Sequence, residues 1–403
     1  MPAMKTTTMN GETKLEARHR PSGEHSRFNG GGLPFDEYVR RTTDMLRRVH
    51  AGAAEAAEAE KIVAGNAPFE LRPAGDDCRG EHKPYRHGVL LVHGLTDSPY
   101  FMRPLAEFYA QNGFRVMAIL LPGHGTQPGD LLDVRWQEWE KAVAYGVDRL
   151  DEEADEIYLA GFSAGGTLSI YQSLRDSRVR GLFLFSPALS ISPRARWANL
   201  HKFYSWLMPE AAWVGIRQDR SLYKYESLPK NAAAQMYVLT KELESLSRGR
   251  QTDIPVFAAA SRDDTTAHTP ATLEFMAHAR HPSSRLVLYT TDTGNVPSGI
   301  PAEKLELVNS ALPEQGILSS SHTAIVLPPD DEHYGADGDY CNAIHYYPGD
   351  MEKYEACNNG HASVLLGEIT ETNLRAGILR RLMYNPNFAA LKVSLKRFID
   401  NLS

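Results

Sequence analysis

Cysteine is scarce in this 403-residue chain: there are three, Cys78, Cys341 and Cys357. None stands in a C-x-x-C or C-x-x-H spacing, which argues against a thiolate zinc site, and no metal is expected. Cys341 and Cys357 bracket a loop-like stretch and read equally well as a disulfide or as two unrelated thiols. Long hydrophobic runs are missing too. Nothing approaches the roughly 18 apolar residues of a membrane span. The polar start, Met1 to Phe28, has no apolar core of a secretory signal. As written, the chain reads as cytoplasmic or already processed; a Cys341–Cys357 disulfide would instead point to a periplasmic or exported protein. A basic excess is absent. Lys and Arg number 43 against 50 Asp and Glu, a net charge of −7, and nucleic-acid binding needs a basic face.

What is present begins with Gly161-Phe162-Ser163-Ala164-Gly165. The pentapeptide G-x-S-x-G arises by chance in about one chain of this length in seven, so its context decides its meaning. It follows the apolar run Glu156 to Ala160 and precedes the helix-like stretch Gly166 to Leu174. A serine at such a strand-to-helix turn has its hydroxyl pushed out at the sheet edge. The helix behind it aims its positive end at any oxyanion formed there. Upstream, Gly88 to Val92 reads as a buried strand ending in His93-Gly94-Leu95. Tyr100 to Asn112 has apolar residues at helical spacing and stops at Gly113. Phe114 to Leu121 reads as a strand running into the turn Pro122-Gly123-His124-Gly125. Trp136 to Leu150 reads as a helix, Ile157 to Ala160 as a strand, and Val179 to Phe185 as the strand after the elbow. Such alternation predicts an α/β fold with a mostly parallel sheet covered by helices on both faces.

Three ordered motifs, "GVLLVHGLTDSP", "GFRVMAILLPGHGTQPGDL" and "IYLAGFSAGG", resemble α/β-hydrolases of the carboxylesterase and monoacylglycerol-lipase type. The resemblance is strong over Pro84 to Phe185. It resumes more loosely around Ile254 to Thr266, Ser319 to Gly335 and the C-terminal helices. It implies an α/β-hydrolase fold, a serine esterase activity on short- to medium-chain acyl esters or monoacylglycerols, and no cofactor. A thioesterase, lysophospholipase or acyltransferase would use the same residues, and a non-catalytic ligand-binding protein would keep the same fold.

In this fold the triad runs Ser, Asp/Glu, His along the chain. Ser163 is the expected nucleophile. The acid belongs in the loop after the strand ending at Ala260, where Asp263 and Asp264 both stand; the family's spacing favours Asp264. The base must follow the last strand, Arg285 to Thr290, which leaves His322, His333, His345 and His361. The run Ser321-His322-Thr323 resembles the histidine loop of related esterases, with His361 as the competitor and the others read as surface residues. Some thirty residues separate that strand from His322, a longer spacing than the family's. The oxyanion donors implied are the backbone N–H groups of Leu95 and Ala164. His93, just before the glycine, suits holding that loop by hydrogen bonds rather than proton transfer, and His124 reads as a turn residue. The acidic tract Asp330-Asp331-Glu332 lacks EF-hand spacing and reads as a solvated loop.

The expected organisation has four parts. Residues 1–33 are a disordered N-terminal segment, and 34–83 a helical extension with a stripe of Tyr38, Met45, Leu46 and Val49. The body comprises 84–188 and 251–403, with a long irregular stretch from Asp292 to Gly360. A helical cap spans 189–250 and carries Trp197, Trp206 and Trp213. Trp206 and Trp213 are expected either to line an apolar substrate pocket or merely to glue the cap to the body.

Overall fold

Successive residues of a strand point to opposite sides, and in the central strands of this chain both sides are apolar. Leu90 and Val92 join one buried cluster with Met117, Ile119, Leu159, Leu182 and Leu184. Val89 and Leu91, one residue out of phase, join a second with Val116, Ala118, Ala160, Phe183 and Phe185. A sheet apolar on both faces must be covered on both, as parallel sheets are.

The computed structural model describes residues 14–24, 28, 31–52, 55–73, 83–191, 208–359 and 364–402. Two helices, α1 (Phe35–His50) and α2 (Ala56–Asn66), lead to a short strand β1 (Phe69–Leu71). Strand and helix then alternate: β2 (Tyr85–Val92), α3 (Arg103–Gln111), β3 (Phe114–Ile119), α4 (Trp136–Glu153), β4 (Ala154–Phe162), α5 (Ala164–Ser173) and β5 (Val179–Phe185). A ribbon of β6 (Trp213–Gly215) and β7 (Leu228–Pro229) precedes α6 (Lys230–Ser247), β8 (Val256–Ser261), α7 (Thr269–Ala277), β9 (Arg285–Thr290) and β10 (Leu305–Asn309). The C-terminal part holds α8 (Met351–Asn358), β11 (Leu365–Gly367), α9 (Glu371–Ala376), β12 (Leu379–Arg381) and α10 (Phe388–Ile399).

Eight strands form one sheet in the order β1-β3-β2-β4-β5-β8-β9-β10. Only the β1–β3 pairing is antiparallel. The α/β fold expected from the sequence is therefore the fold observed. Helices α4, α5 and α6 cover one face through residues such as Val143, Leu168 and Leu239. Helices α3 and α10 cover the other through Leu105, Phe388, Leu391 and Phe398. Because the strands are parallel, their carboxyl ends share one edge, where open α/β sheets gather their functional loops. Among the described residues no helix is long and apolar enough to cross a membrane.

Several elements differ from the sequence reading. Residues 14–24 are docked rather than disordered. Arg18 pairs with Asp219 and donates to Arg217 O at 2.7 Å, and buried His19 lies edge-on to Trp213 at 4.9 Å. The N–H and hydroxyl of Ser22 donate to Asp130 at 2.6 and 2.7 Å. Residues 1–13 lie outside the described residues. The single helix expected after Pro34 is two, parted near Gly52, whose φ of +84° ends a helix. Its stripe holds in part: Tyr38 and Leu46 are buried, Met45 and Val49 half-buried.

Within the presumed cap, α6 is helical but buries Ala232, Met236 and Leu239 in the same core as the sheet. Residues 216–227, between the ribbon strands, have no helix. The stretch read as irregular contains β10, paired in parallel with β9 from Leu305↔Leu286 to Asn309↔Thr290. An edge strand only half-buried carries a diluted apolar pattern. Cys341 and Cys357 are free thiols. Burial pushes the Cys357 thiol up to about 11. Cys78 lies outside the described residues.

His333 and His345 are not the surface residues expected. His333 is buried, paired with Asp339 and accepting the Leu222 N–H at 3.2 Å. His345 packs on Tyr346, and its buried Nε2 has no hydrogen-bond partner. Burial pushes the His345 pKa down from the usual 6.5 to about 4. A folded pKa below the unfolded one contributes stability that is present above pH ~6.5 and lost as pH falls towards ~4, worth about 2 kcal/mol between pH 7 and 4.5. Urea unfolding at those two pH values should show His345→Gln losing about 2 kcal/mol less than the parent on acidification; an equal loss would refute the buried neutral imidazole.

Candidate active site

Strand β4 ends at Phe162, and α5 starts two residues later at Ala164. The residue between them must turn the chain in one step, and Ser163 does so at φ +53°, ψ −114°. That left-handed conformation is strained for a residue with a Cβ. Backbone bonds hold it: the Ser163 N–H donates to Phe185 O at 2.9 Å, and Ser163 O accepts from Gly166 and Ala188, both at 3.0 Å. Room for the turn comes from Gly165, where a Cβ would lie 2.0 Å from Val92 O. The Ala164 N–H is among the leading donors that a helix leaves unpaired within itself, and it stands at the positive end of α5.

The structure brings together Ser163 after β4, Asp264 after β8 and His322 from the segment past β10. Ser163 Oγ lies 2.9 Å from His322 Nε2. His322 Nδ1 lies 2.6 Å from Asp264 Oδ2, so the ring proton on Nδ1 donates to the carboxylate and Nε2 is left to accept from the serine hydroxyl. Ser163 and His322 are 7% and 5% exposed. The second Asp264 oxygen accepts the N–H groups of Thr266 and Ala267 at 2.7 and 2.8 Å. Burial works to raise the Asp264 carboxyl, but His322 beside it and those two N–H groups outweigh burial, and it lies below its ordinary value. Asp263 takes no part in this chain. Its N–H donates to Ser261 Oγ at 3.2 Å, its buried Oδ2 has no partner, and burial with the nearby Glu368 raises its carboxyl.

Leu95 follows β2 in a loop fixed from several sides. Asp97 fills the space where a Cβ on Gly94 would lie, 2.1 Å from its Oδ2. Lys224 Nζ binds that Asp97 at 3.0 Å and Thr96 Oγ1 at 2.6 Å, and the Tyr225 N–H donates to Thr96 O at 2.8 Å. His93 holds the loop by hydrogen bonds as expected, and His124 does more than fill a turn. The Leu121 N–H donates to His93 Nε2 at 3.0 Å, so His93 Nδ1–H donates to Gly94 O at 2.8 Å. His124 Nε2 meets Leu95 O at 2.5 Å. Burial lowers both imidazoles, and their hydrogen bonds tie the Leu95 loop to the β3 turn.

The remaining expected residues are placed elsewhere. Trp213 is buried with its ring against His19, a setting that favours packing over a pocket wall. Trp206 and His361 lie outside the described residues. In the acidic tract Asp330 and Glu332 are exposed, as a solvated loop requires, while Asp331 accepts from Tyr100 Oη at 3.0 Å and from the N–H groups of His333 and Tyr334. A cavity of about 810 Å³ lies between α5, α6 and α7, lined by Leu189, Tyr237, His268 and Phe275 among others; neither Ser163 nor His322 lines it. The sequence reading missed Lys224 and Asp97, because no local pattern marks an ion pair formed across 127 residues.

Replacing Gly165 by alanine should push the elbow off Val92 O at a cost of roughly 2–4 kcal/mol. A melting curve like that of the parent would contradict the close approach at this turn.

A sequence model of the alpha/beta hydrolase family matches residues 89–333. The thermostable monoacylglycerol lipase of Bacillus sp. (strain H-257) is 38% identical over 104 residues, 26% of this chain and 42% of that protein. A carboxylesterase of Bacillus subtilis (strain 168) is 34% identical over 83 residues, 20% of this chain and 34% of its own length. The matched stretch thus spans less than half of either relative. A solved structure titled for LipS and LipT, metagenome-derived lipolytic enzymes, aligns over 56% of this chain and 87% of its own, with 24% identity and a TM-score of 0.46. With the family match covering well over half of its length, this chain belongs to the alpha/beta hydrolase family.

Proposed function

We propose that this chain is a serine hydrolase that cleaves carboxylic esters, with Ser163 as nucleophile, His322 as base and Asp264 as the acid that orients it. The observation that carries this reading is the unbroken hydrogen-bond chain from Ser163 Oγ through His322 to Asp264, at 2.9 and 2.6 Å. It begins at the positive end of a helix. A hydroxyl is a poor nucleophile until a base takes its proton, and an imidazole is a useful base when its free nitrogen faces that hydroxyl.

Each step follows from these positions. His322 Nε2 takes the Ser163 proton while Oγ attacks the ester carbonyl. The carbonyl oxygen becomes an oxyanion, and the N–H groups of Leu95 and Ala164 are the proposed donors to it. Asp264 holds the imidazole in the Nδ1–H tautomer and stabilises its cation. His322 then protonates the departing alcohol, leaving an acyl group on Ser163. Water, deprotonated by the same nitrogen, releases the acid and restores the serine.

The proposed substrates are short- to medium-chain acyl esters or monoacylglycerols; in support of the ester class, the two Bacillus relatives are named as a monoacylglycerol lipase and a carboxylesterase. Of residues 189–250, read as a cap, residues 208–229 ahead of α6 are proposed to close over this site. In support, Lys224 and Tyr225 of that stretch bind Thr96 and Asp97 beside Leu95.

Hydrolysis of p-nitrophenyl esters from acetate to palmitate tests the reading. Ser163→Ala and His322→Ala should each lower kcat by about 10⁴-fold or more, and Asp264→Asn by about 10⁴-fold through the wrong imidazole tautomer. A folded Ser163→Ala protein with parental rates would end the proposal. In the same assay Trp213→Ala should leave the preferred chain length unchanged and lower the melting temperature, as its packing against His19 requires; an altered preference would return that ring to the pocket.

A further inference from the structure

The acid and base loops leave the sheet at different strands, yet one buried carboxyl touches both. Glu368 follows β11 directly and is fully buried. One of its oxygens accepts the backbone N–H of His322 at 2.9 Å and Arg381 Nη2 at 2.8 Å. The other accepts the hydroxyl of Thr265, next to Asp264, at 3.0 Å, and the Ile369 N–H at 2.7 Å. Every partner donates, the arrangement an ionised carboxylate accepts. Arg381, at the end of β12, also donates to Thr266 Oγ1 at 2.6 Å. Two ties therefore reach the acid loop and one reaches the base.

The small β11–β12 sheet gives Glu368 a fixed base. Its strands pair in parallel, with Gly367 opposite Arg381. Beside it runs the segment leading to His322: the Leu318 N–H donates to Leu366 O at 2.8 Å, and the Glu368 N–H to Ser319 Oγ at 3.1 Å. The residues flanking the histidine are anchored to the same unit. Ser321 Oγ and Thr323 Oγ1 both donate to Leu382 O, at 2.5 and 2.9 Å. His322 is thus held on its main chain by Glu368 and on either side by the residue after β12.

We propose that Glu368, braced by Arg381, is a positioning residue: it locks the acid loop to the base loop and so fixes the Asp264–His322 hydrogen bond. This rests on the triad reading above and assigns a task to a C-terminal unit that lies outside the matched residues 89–333. Glu368 touches no reacting atom. It acts because the productive geometry tolerates little error; a displacement of about 1 Å in a catalytic group costs about 10²-fold in rate.

Two readouts test it together. The first is hydrolysis of p-nitrophenyl butyrate by Glu368→Gln, whose amide sets a donor against donors. We expect kcat to fall about 10²-fold with KM unchanged. Thr265 is exposed, so Thr265→Val is the variant that folds regardless; it should lower kcat about tenfold, while Thr265→Ser, which keeps the hydroxyl, should stay within about twofold of the parent. The second readout is the far-downfield proton resonance of His322 Nδ1–H, recorded in Ser163→Ala and assigned by its loss in His322→Gln. It should broaden or move in Glu368→Gln and Thr265→Val, and persist in Thr265→Ser.

Rates within about twofold of the parent in both Glu368→Gln and Thr265→Val would overturn the proposal. So would a rate loss with the proton unmoved, or its absence in Ser163→Ala itself. If Glu368→Gln does not fold, the two Thr265 variants decide. The resonance needs no turnover. A parent that hydrolyses no ester but shows the expected proton changes would therefore refute the esterase reading and leave the positioning role standing.

Discussion

One turn governs the geometry of this molecule: the single residue, Ser163, that joins β4 to α5 at φ +53°. Placing a side chain there costs about 1–3 kcal/mol of backbone strain, and the surroundings hold it by taking all of its main-chain bonding capacity. The N–H reaches β5 at Phe185 O, and the carbonyl receives Gly166 and Ala188. Strand β4 is also central, paired with β2 on one side and β5 on the other. The strain therefore rests on the stiffest part of the fold. Its return is a hydroxyl raised clear of the sheet edge beside the first N–H groups of a helix.

Everything else at that edge concerns alignment. In the proposed reaction the serine needs an imidazole, the imidazole a carboxylate, and the proposed oxyanion donors a loop that keeps its shape. These groups come from β2, β4, β8 and the segment past β10. A parallel sheet gathers such ends, but to within a few ångströms only. The remaining precision comes from buried polar ties: Lys224 with Asp97, His124 with Leu95 O, Asp264 with two backbone N–H groups, and Glu368 with both loops. A buried polar group left unpartnered is costly, so each tie holds one arrangement and penalises others.

Legibility in the sequence followed the range of the interaction. The run from Gly88 to Phe185 could be read because each strand and helix there writes its own period, and the elbow and the Leu95 loop are short contiguous motifs. Ser163 and Leu95 needed nothing beyond neighbours in the chain. Asp264 required a count from a strand end. His322 required an elimination, made harder by about thirty residues of apparent loop. The structure accounts for that length: β10 occupies Leu305–Asn309 as a further parallel strand beyond β8 and β9. Its residues are half-buried and lack the unbroken apolar run of a central strand.

The amino-acid sequence by itself determined the α/β alternation, the two-faced apolar sheet and the place of Ser163 at the strand-to-helix turn, because periodicity and turn chemistry act between residues close in the chain. Only the tertiary structure decided that Asp263 stays out of reach of the imidazole, that the N-terminal residues 14–24 dock, that His333 is buried and His345 half-buried, and that Glu368 spans the two loops. Those outcomes depend on contacts between segments far apart in sequence, such as Thr265 with Glu368 or Arg18 with Asp219. Neither partner in such a pair carries a local mark of the other; only the folded chain brings them within reach.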